Sequence, residues 1–288
     1  MDYYATIQKS IDFIEENLSE SISLEQIARH ANFSITHFYR VFQAMVGEPV
    51  KEYIRKRRLS EAAYTLLATK NKVLDVAIEY RFESQEAFTR AFDKMYGVTP
   101  GRYRKNRQEL VFYEKVLILE RRKLNLFGGI EMEPKIIIKD GFSVIGMECK
   151  MSQAEKEAGF NPAVELWQKF HNRKHEIKDG ISGIYYGLTP HESWSDAKQS
   201  YIAGIQVTQI DAVPKGMVFR TLPSAKYAVF TIKGKIETWG NQFDCIFGKW
   251  LPESGFELGE ADSIEIYGEK AKDVSSDDYE YDLYLPVK

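Results

Sequence analysis

The chain has 288 residues, of which 44% are apolar and 28% are charged, so it is long enough for two domains that each bury a core. No stretch approaches the roughly 18–20 uninterrupted apolar residues of a membrane span, and the first residues lack the basic and then apolar pattern of a secretory signal. Two cysteines, Cys149 and Cys245, are too few for a disulfide framework. We therefore expect a protein of the reducing cytoplasm.

Charge is distributed unevenly along the chain. Residues 1–127 hold 21 Lys and Arg against 17 Asp and Glu, a net charge of +4, whereas residues 128–288 hold 18 against 25, a net charge of −7. Two parts of opposite charge indicate two functions. The basic excess is too small to establish nucleic-acid binding by itself.

The first 107 residues have the periodicity of helices. Ile7, Ile11 and Ile14 follow helical spacing. Ser23 and Gln26 form a capping box, which predicts a helix over 24–30. The next helix is predicted from Ser34 to Gly47, after a turn at Asn32, which tolerates left-handed geometry. Further helices are predicted near 50–68, 73–80 and 84–96, and from Pro100 onward.

Two of these segments repeat each other at a constant offset of fifty residues. The matched pairs are Ser34/Ser84, Phe38/Phe88, Arg40/Arg90, Phe42/Phe92, Met45/Met95 and Gly47/Gly97. An internal repeat indicates one supersecondary unit used twice. Each copy predicts a short amphipathic helix that buries its aromatic residues and turns an arginine outward.

The outward residues have the chemistry that reads base edges. Arg and Gln form paired hydrogen bonds with guanine and adenine, Glu accepts from cytosine, and Thr contacts the thymine methyl group. The predicted base-reading residues are Thr36, Tyr39 and Arg40 in the first copy and Gln85, Glu86, Thr89 and Arg90 in the second. Basic residues nearby are predicted to contact DNA phosphates: Lys51, Arg55, Lys56, Arg57, Arg58, Arg102 and Arg104.

The stretch FESQEAFTRAFDKMYGVTPGRYR resembles the signature of the AraC/XylS family of bacterial transcription regulators, and the resemblance covers about residues 5–107. It implies two helix-turn-helix units joined by a long helix, which read two major-groove segments about 34–36 Å apart. The implied partners are double-stranded DNA and RNA polymerase, with a monomer or weak dimer as the functional state. Two positions depart from the family pattern. Arg81 replaces a usual glycine, which would strain a turn that needs positive φ, and Asp93 replaces a usually basic residue.

After a predicted linker at 108–133, the apolar pattern changes from helical to alternating. Strands are predicted at 135–139, 142–148, 183–188, 201–207, 217–221, 226–232, 263–267 and 281–286, with helices at 161–175 and 235–250. The order strand, helix, strand, strand occurs twice, and the segments 184–187 and 265–268 correspond at an offset of 81. The predicted fold is multidomain. An all-α N-terminal domain with two helix-turn-helix units (1–107) precedes an α+β domain of two strand-helix-strand-strand modules (134–288).

The second part resembles GyrI-like effector-binding domains. The segments that carry the resemblance are the Trp167 helix, YIAGIQV, PSAKYAVFTIKG and SIEIYGEK. The resemblance implies a ligand cleft between the modules with Glu265 as its acidic residue. A carboxylate among aromatic rings favours a lipophilic cation. The other candidate residues of the effector site are Tyr267, Tyr185, Tyr201, Tyr227, Phe230 and Trp239.

Two alternatives stay open beside an effector-dependent transcriptional activator. One is a constitutive DNA binder whose second domain docks a protein, and the other is a GyrI-like hydrolase in which Glu265 acts as a general base. The chain lacks a GxSxG motif, a P-loop and a dinucleotide fingerprint. His171 and His175 have the spacing of metal ligands on a helix but lack the glutamate of HExxH. We therefore expect no catalytic activity, no metal and no cofactor.

Overall fold

A computed structural model of the chain describes residues 2–118, 133–152, 162–195, 198–235, 239–271 and 276–288. The chain divides into two compact units close to residue 126, one chiefly of N-terminal helices and one built on a β-sheet. Within the described ranges, no helix is long and apolar enough to cross a membrane.

The predicted helices of the first unit are confirmed. They are α1 (Tyr3–Glu16), α2 (Leu24–His30), α3 (Ile35–Val46), α4 (Val50–Ala68), α5 (Val73–Glu79), α6 (Gln85–Tyr96) and α7 (Pro100–Asn106). The predicted capping box starts α2: the Gln26 backbone N–H donates to Ser23 Oγ at 3.2 Å, and the Ser23 N–H donates to Gln26 Oε1 at 2.8 Å. Ser34 and Ser84 cap the helices that follow them with one bond each, since their Oγ atoms accept from the backbone N–H groups of His37 and Ala87.

The fifty-residue repeat corresponds to two helix-turn-helix units, α2–α3 and α5–α6, with α4 between them. The turn of each unit holds one residue in the left-handed region, Asn32 at φ 54° and Arg81 at φ 63°. Asparagine adopts this geometry readily, whereas arginine is strained there by on the order of 1 kcal/mol. The predicted strain at Arg81 is therefore confirmed.

Each unit is built around the same set of aromatic side chains, and the two sets are fully buried: Phe38, Phe42 and Tyr53 in the first unit and Phe88, Phe92 and Tyr103 in the second. Ring centroids along these rows lie 5.4–5.7 Å apart, in tilted or edge-to-face aromatic packing. The two halves of α4 serve the two cores, since its Tyr53 belongs to the first and its Leu59 to the second.

Residues 108–118, predicted as the start of a linker, pack against the helical unit. The backbone N–H of Tyr113 donates to Ser60 Oγ at 3.0 Å, and the Tyr113 carbonyl accepts from Arg57 Nη1 at 2.6 Å. This part of the chain is thus held by α4 and is not a free connector. The rest of the predicted linker, 119–132, lies outside the described residues.

The second unit contains an antiparallel sheet and two main helices. The strands are β1 (Lys135–Lys139), β2 (Phe142–Ser152), β3 (Tyr185–Thr189), β4 (Lys198–Val207), β5 (Val218–Leu222), β6 (Ala225–Lys233), β7 (Ser263–Tyr267) and β8 (Glu280–Pro286). The helices are α8 (Pro162–Arg173) and α9 (Trp239–Cys245), which continues through a π-helical turn (Ile246–Trp250) into α10 (Leu251–Glu253). The predicted strands are confirmed with shifted ends. The part 236–238 of the predicted second helix lies outside the described residues.

The sheet exchanges strands between its two modules. Among the described residues it has eight strands in the order β1-β6-β8-β7-β3-β4-β2-β5. The modules β2-α8-β3-β4 and β6-α9-β7-β8 meet where β3 pairs with β7. Strand β1, which precedes the first module, pairs with β6 of the second, and β5 pairs with β2 of the first. Each module is therefore flanked by the strand that precedes the other.

The segments 184–187 and 265–268 overlap the equivalent strands β3 and β7 of the two modules, as predicted, but their residue-by-residue match at an offset of 81 is wrong. Tyr186 is paired with Ile266, and Tyr185 is paired with Tyr267. Paired residues lie on the same face of a sheet and successive residues on opposite faces. Tyr186 and Tyr267 consequently lie on opposite faces. An odd offset between similar letters cannot relate the two strands, because the side-chain period is two.

Candidate DNA-reading surface and effector site

Helix α3 carries the first set of predicted base-reading residues. Arg40 is half-buried, and the side chain of Thr36 lies outside the described part of the structure. Tyr39 was expected to point outward but is only 5% exposed. Its position explains the error: Tyr39, Phe42 and Val46 form one row at i, i+3 and i+7, which widens the buried stripe of the helix.

Helix α6 presents the second set. Gln85, Glu86 and Arg90 are exposed, and Thr89 is half-buried. Phe88 and Phe92 are buried on the opposite face. The four candidate residues therefore share one accessible side of a helix whose other side is anchored in the core.

The basic run on α4 cannot contact DNA as a single group. Four consecutive residues, Arg55 to Arg58, span about 300° of the helix circumference. Arg55 forms an ion pair with Glu52, with Nη2 2.5 Å from Oε1, and Lys56 forms an ion pair with Glu48.

Arg57 lies in the interior, so its prediction as a phosphate contact is wrong. It is 5% exposed, and its Nη2 lies 2.8 Å from Glu15 Oε2 and 2.7 Å from Glu61 Oε1. Tyr53 donates its hydroxyl to the same Glu15 carboxylate at 2.7 Å. Burial opposes the charge of Arg57, but the hydrogen bonds and charges of Glu15 and Glu61 outweigh it and raise the pKa of the guanidinium.

Two more predicted phosphate contacts bind backbone carbonyls within the helical unit. Arg58 donates to the carbonyls of Leu18 and Glu20, each at 2.8 Å, and Arg104 Nε donates to the Leu66 carbonyl at 2.8 Å. These bonds hold both side chains against the protein and contradict a primary role in phosphate binding. The predicted phosphate contacts that are exposed are Lys51 and Arg102.

In the second unit, Glu265 lies on β7 with two phenol hydroxyls directed at one carboxylate oxygen. Tyr201 on β4 donates to Glu265 Oε2 at 2.6 Å, and Tyr267 donates to the same atom at 2.7 Å. Trp167 on α8 donates its indole N–H to the Tyr201 oxygen at 3.3 Å. Strand β7, strand β4 and helix α8 thus place a carboxylate among three aromatic side chains.

Further rings surround this carboxylate. Tyr267 stacks on Tyr281 with centroids 5.1 Å apart and meets the edge of Trp167, also at 5.1 Å. Burial first, and then the negative charge of Glu265, raise the pKa of Tyr201 and of Tyr267 well above 10. Both phenols therefore stay protonated and able to donate across the physiological range.

Gly187 on β3 leaves the space that the carboxylate occupies. It is the direct cross-strand partner of Glu265. A Cβ at position 187 would lie 2.2 Å from the Tyr201 hydroxyl oxygen and 2.6 Å from Glu265 Oε2, which is far inside van der Waals contact. The site therefore requires glycine at this position.

We expect Gly187→Ala to destabilise the protein by about 1–3 kcal/mol, since the added methyl group overpacks a filled site. Urea unfolding of the full chain measures the change. Gly268→Ala is the matched control, because a Cβ at Gly268 has no atom within 4 Å among the described residues. Equal unfolding midpoints for the two variants would contradict the close packing at Gly187.

The other predicted effector residues differ in their placement. Tyr185 lies beside Tyr267 across the β3–β7 pair. The prediction that Tyr227 lies near Glu265 is wrong. Tyr227 packs with Ile264 and Tyr186 on the opposite face of the sheet, because side chains alternate along β6 and β7. Phe230 is buried edge-to-face against Trp250, at 4.9 Å. The side chain of Trp239 lies outside the described part.

Four residues around Glu265 were absent from the predicted set: Trp167, Tyr279, Tyr281 and Gly187. The alternation of tyrosines at 279 and 281 is a sequence signal that both face the same side. For Gly187 the sequence contains no such signal, since its importance depends on the register of β3 against β7.

His171 belongs to the aromatic surroundings of the same site. Its ring lies 5.6 Å from that of Trp167 and 5.0 Å from that of Tyr185. Burial, and then the positive charge of Lys174, lower the pKa of His171. Across the described ranges, His, Cys, Asp and Glu side chains form no group of three or more that could hold a metal ion.

Comparison with known proteins agrees with both parts of this description. Residues 27–106 match the family described as a helix-turn-helix domain, and residues 132–288 match the GyrI-like small molecule binding domain. The fold and the site define a DNA-binding transcriptional regulator with a second domain for small molecules. The chain belongs to the AraC/XylS family of regulators that carry a C-terminal GyrI-like domain.

Three relatives illustrate the range of similarity. The regulator YbfP of Bacillus subtilis (strain 168), itself described as uncharacterized, is 52% identical over 104 residues, which are 36% of this chain and 35% of that protein. Transcriptional regulator Rob of Salmonella typhimurium is 26% identical over 271 residues, 93% of this chain and 91% of that protein. The HTH-type transcriptional activator AarP of Providencia stuartii is 42% identical over 98 residues, 34% of this chain and 73% of that protein.

Proposed function

We propose that this protein is a cytoplasmic transcriptional activator whose second domain binds a small lipophilic cation at Glu265. The observation that carries the proposal is the carboxylate of Glu265, which is enclosed by Trp167, Tyr201 and Tyr267 and receives two phenol hydrogen bonds. A negative charge in aromatic surroundings attracts a cation through ion pairing and through the negative faces of the rings.

The chemistry of the site favours binding over catalysis. The hydroxyls of Tyr201 and Tyr267 both donate to Glu265 Oε2 and occupy its two lone pairs, which leaves that oxygen without a free acceptor position for a water molecule. The neighbouring phenols stay protonated, since burial and the charge of Glu265 raise the pKa of both. Glu265 is therefore better suited to hold a positive charge than to activate a water molecule.

On the DNA side, the proposed base-reading residues are Arg40 on α3 and the exposed side of α6. The latter comprises Gln85, Glu86, Thr89 and Arg90. Lys51 and Arg102 are the proposed phosphate contacts. Two reading units in one chain make dimerisation unnecessary for binding two adjacent major-groove segments. Activation through RNA polymerase is supported by the 42% identity with AarP, which is named an activator.

Selection of bound duplexes from a random pool of about 30 base pairs tests the DNA-reading proposal. We expect the native chain to enrich two short blocks whose centres lie about one helical turn apart. The double variant Arg40→Ala/Arg90→Ala should lose both blocks, because each arginine contact with guanine is worth about 1–3 kcal/mol of discrimination.

A second double variant, Lys70→Ala/Lys72→Ala, removes the same charge from exposed positions between α4 and α5. It should keep the sequence preference of the native chain. If the native chain enriches no sequence, or if the arginine variant enriches the same blocks, the proposed base-reading set is wrong.

A further inference from the structure

The segment between α1 and α2 is held by two arginines from different parts of the helical unit. Arg58 on α4 donates to the carbonyls of Leu18 and Glu20, each at 2.8 Å. Arg81 donates from Nε to the carbonyl of Ser19 at 2.5 Å, and its Nη2 lies 3.1 Å from the Glu20 carboxylate. Three consecutive carbonyls after the end of α1 thus accept hydrogen bonds from two guanidinium groups.

The chemistry of this segment suits cations. Carbonyls beyond the C-terminus of a helix lack intrahelical donors, and the helix dipole makes that end negative. The two guanidinium groups lie close together, since both bind within residues 18–20. Burial and then the positive charge of Arg81 lower the pKa of Arg58. Neighbouring acceptors on Leu18, Ser19 and Glu20 hold the two like charges near each other.

Arg81 connects the two reading units. It occupies the turn between α5 and α6, and its side chain reaches 62 positions back along the sequence to Ser19. The segment that it contacts leads directly into α2, the first helix of the first unit. The backbone of Arg81 is therefore part of the turn that leads into α6, and its guanidinium group is bound to the segment that leads into α2.

We propose that Arg81 is a positioning residue that fixes α6 relative to α3 and thereby sets the spacing between the two DNA segments that the protein reads. This inference rests on the proposed DNA-reading function. Arg81 holds a left-handed φ of 63°, a geometry that glycine or asparagine would adopt with less strain. Glycine and asparagine have no guanidinium group, so neither could form the contacts with Ser19 and Glu20 that Arg81 forms. The side chain, rather than the backbone conformation, distinguishes arginine at this turn.

Binding to duplexes of altered spacing tests the proposal. Three duplexes carry the two sequence blocks that the native chain selects. In one the blocks have their natural separation, in the second they are one base pair closer, and in the third they are one base pair farther apart. Each step rotates one block by about 35° around the DNA axis. We expect the native chain to lose about tenfold or more in affinity at either altered spacing, the factor that one good base contact carries.

Arg81→Asn keeps a residue that tolerates left-handed geometry but removes the connection. We expect its loss at the altered spacings to be below about threefold, because α6 can then adjust to a rotated block. The matched control is Arg107→Asn, which removes another arginine at positive φ, 51°, at the end of α7. The control should lose as much affinity at the altered spacings as the native chain does. A penalty that is unchanged in Arg81→Asn would overturn the proposal, even if all duplexes were bound more weakly.

A measurement without DNA separates this inference from the proposed function. Spin labels at Gln43→Cys on α3 and Asp93→Cys on α6, with Cys149→Ser and Cys245→Ser as the background, report the distance between the recognition helices by electron–electron double resonance. We expect one narrow distance distribution with Arg81 and a broader one with Arg81→Asn or Glu20→Gln. Identical distributions would overturn the inference. If the native chain selects no paired blocks, the proposed function fails and these distances alone decide the role of Arg81.

Discussion

Arg57→Ala is expected to reduce the free energy of unfolding by about 3–5 kcal/mol, the usual cost of removing one partner from a buried ion pair. The substitution leaves the carboxylate of Glu15, which is only 12% exposed, without its guanidinium. It also removes the donor to the Tyr113 carbonyl. Urea unfolding of the full chain, followed by circular dichroism at the helical signal, measures the loss.

Arg55→Ala is the matched control for this prediction. Arg55 is on the same helix and also forms an ion pair, but its side chain is 39% exposed. Removing an exposed pair costs about 0–1 kcal/mol. A comparable loss for the two variants would contradict the interior role of Arg57. Arg57→Lys should fall between them, because an ammonium group keeps the charge but cannot form the forked contact with Glu15.

Glu265→Gln is expected to weaken binding of tetraphenylphosphonium, a lipophilic cation, by about 2–5 kcal/mol, or at least thirtyfold. The amide has nearly the shape of the carboxylate but carries no charge to pair with the cation. Binding of triphenylphosphine oxide, an uncharged aromatic compound, should change little. Titration calorimetry on the full chain gives both affinities, and the difference between them isolates the charge.

Tyr227→Phe serves as the control on the opposite face of the sheet, where it should leave cation binding unchanged. Unaltered affinity of Glu265→Gln for the cation would remove Glu265 from the site.

Regulation also requires that the cation bind two states of the protein with different affinity. The cation should therefore shift the midpoint of DNA binding in the native chain and not in Glu265→Gln, whose DNA affinity without cation should equal the native value.

The helical unit was predictable from the sequence almost to the residue, because its information is local. The capping box at Ser23 and Gln26 fixes the start of α2, and Pro100 fixes the start of α7. The fifty-residue repeat marks equivalent buried positions twice, so each copy supports the interpretation of the other. The strain at Arg81 was predictable only through the family resemblance, because the usual glycine at this position indicated a turn with positive φ.

What the sequence could not supply was the direction of individual side chains. Arg57 and Lys56 are adjacent basic residues, yet only the three-dimensional position of Glu15 determines that Arg57 turns inward. Tyr227 resembles Tyr201 as an aromatic residue on a strand, but the faces they occupy depend on register. A sheet that exchanges strands between modules sets that register through contacts about 70–95 residues apart, which no local pattern encodes.

The exchange of β1 and β5 affects how the second unit folds during its synthesis. Lys135 of β1 pairs with Val229 and Phe142 of β2 with Leu222, so neither half can complete its sheet before most of the unit has been synthesised. Pairing over such separations slows folding, because loop closure precedes the stabilising contacts. A fragment that contained one module alone would present an uncovered strand edge, which promotes aggregation. Fragments for biophysical work should therefore keep residues 133–288 together, and dividing the unit between its two modules should yield two insoluble pieces rather than two half-sized domains.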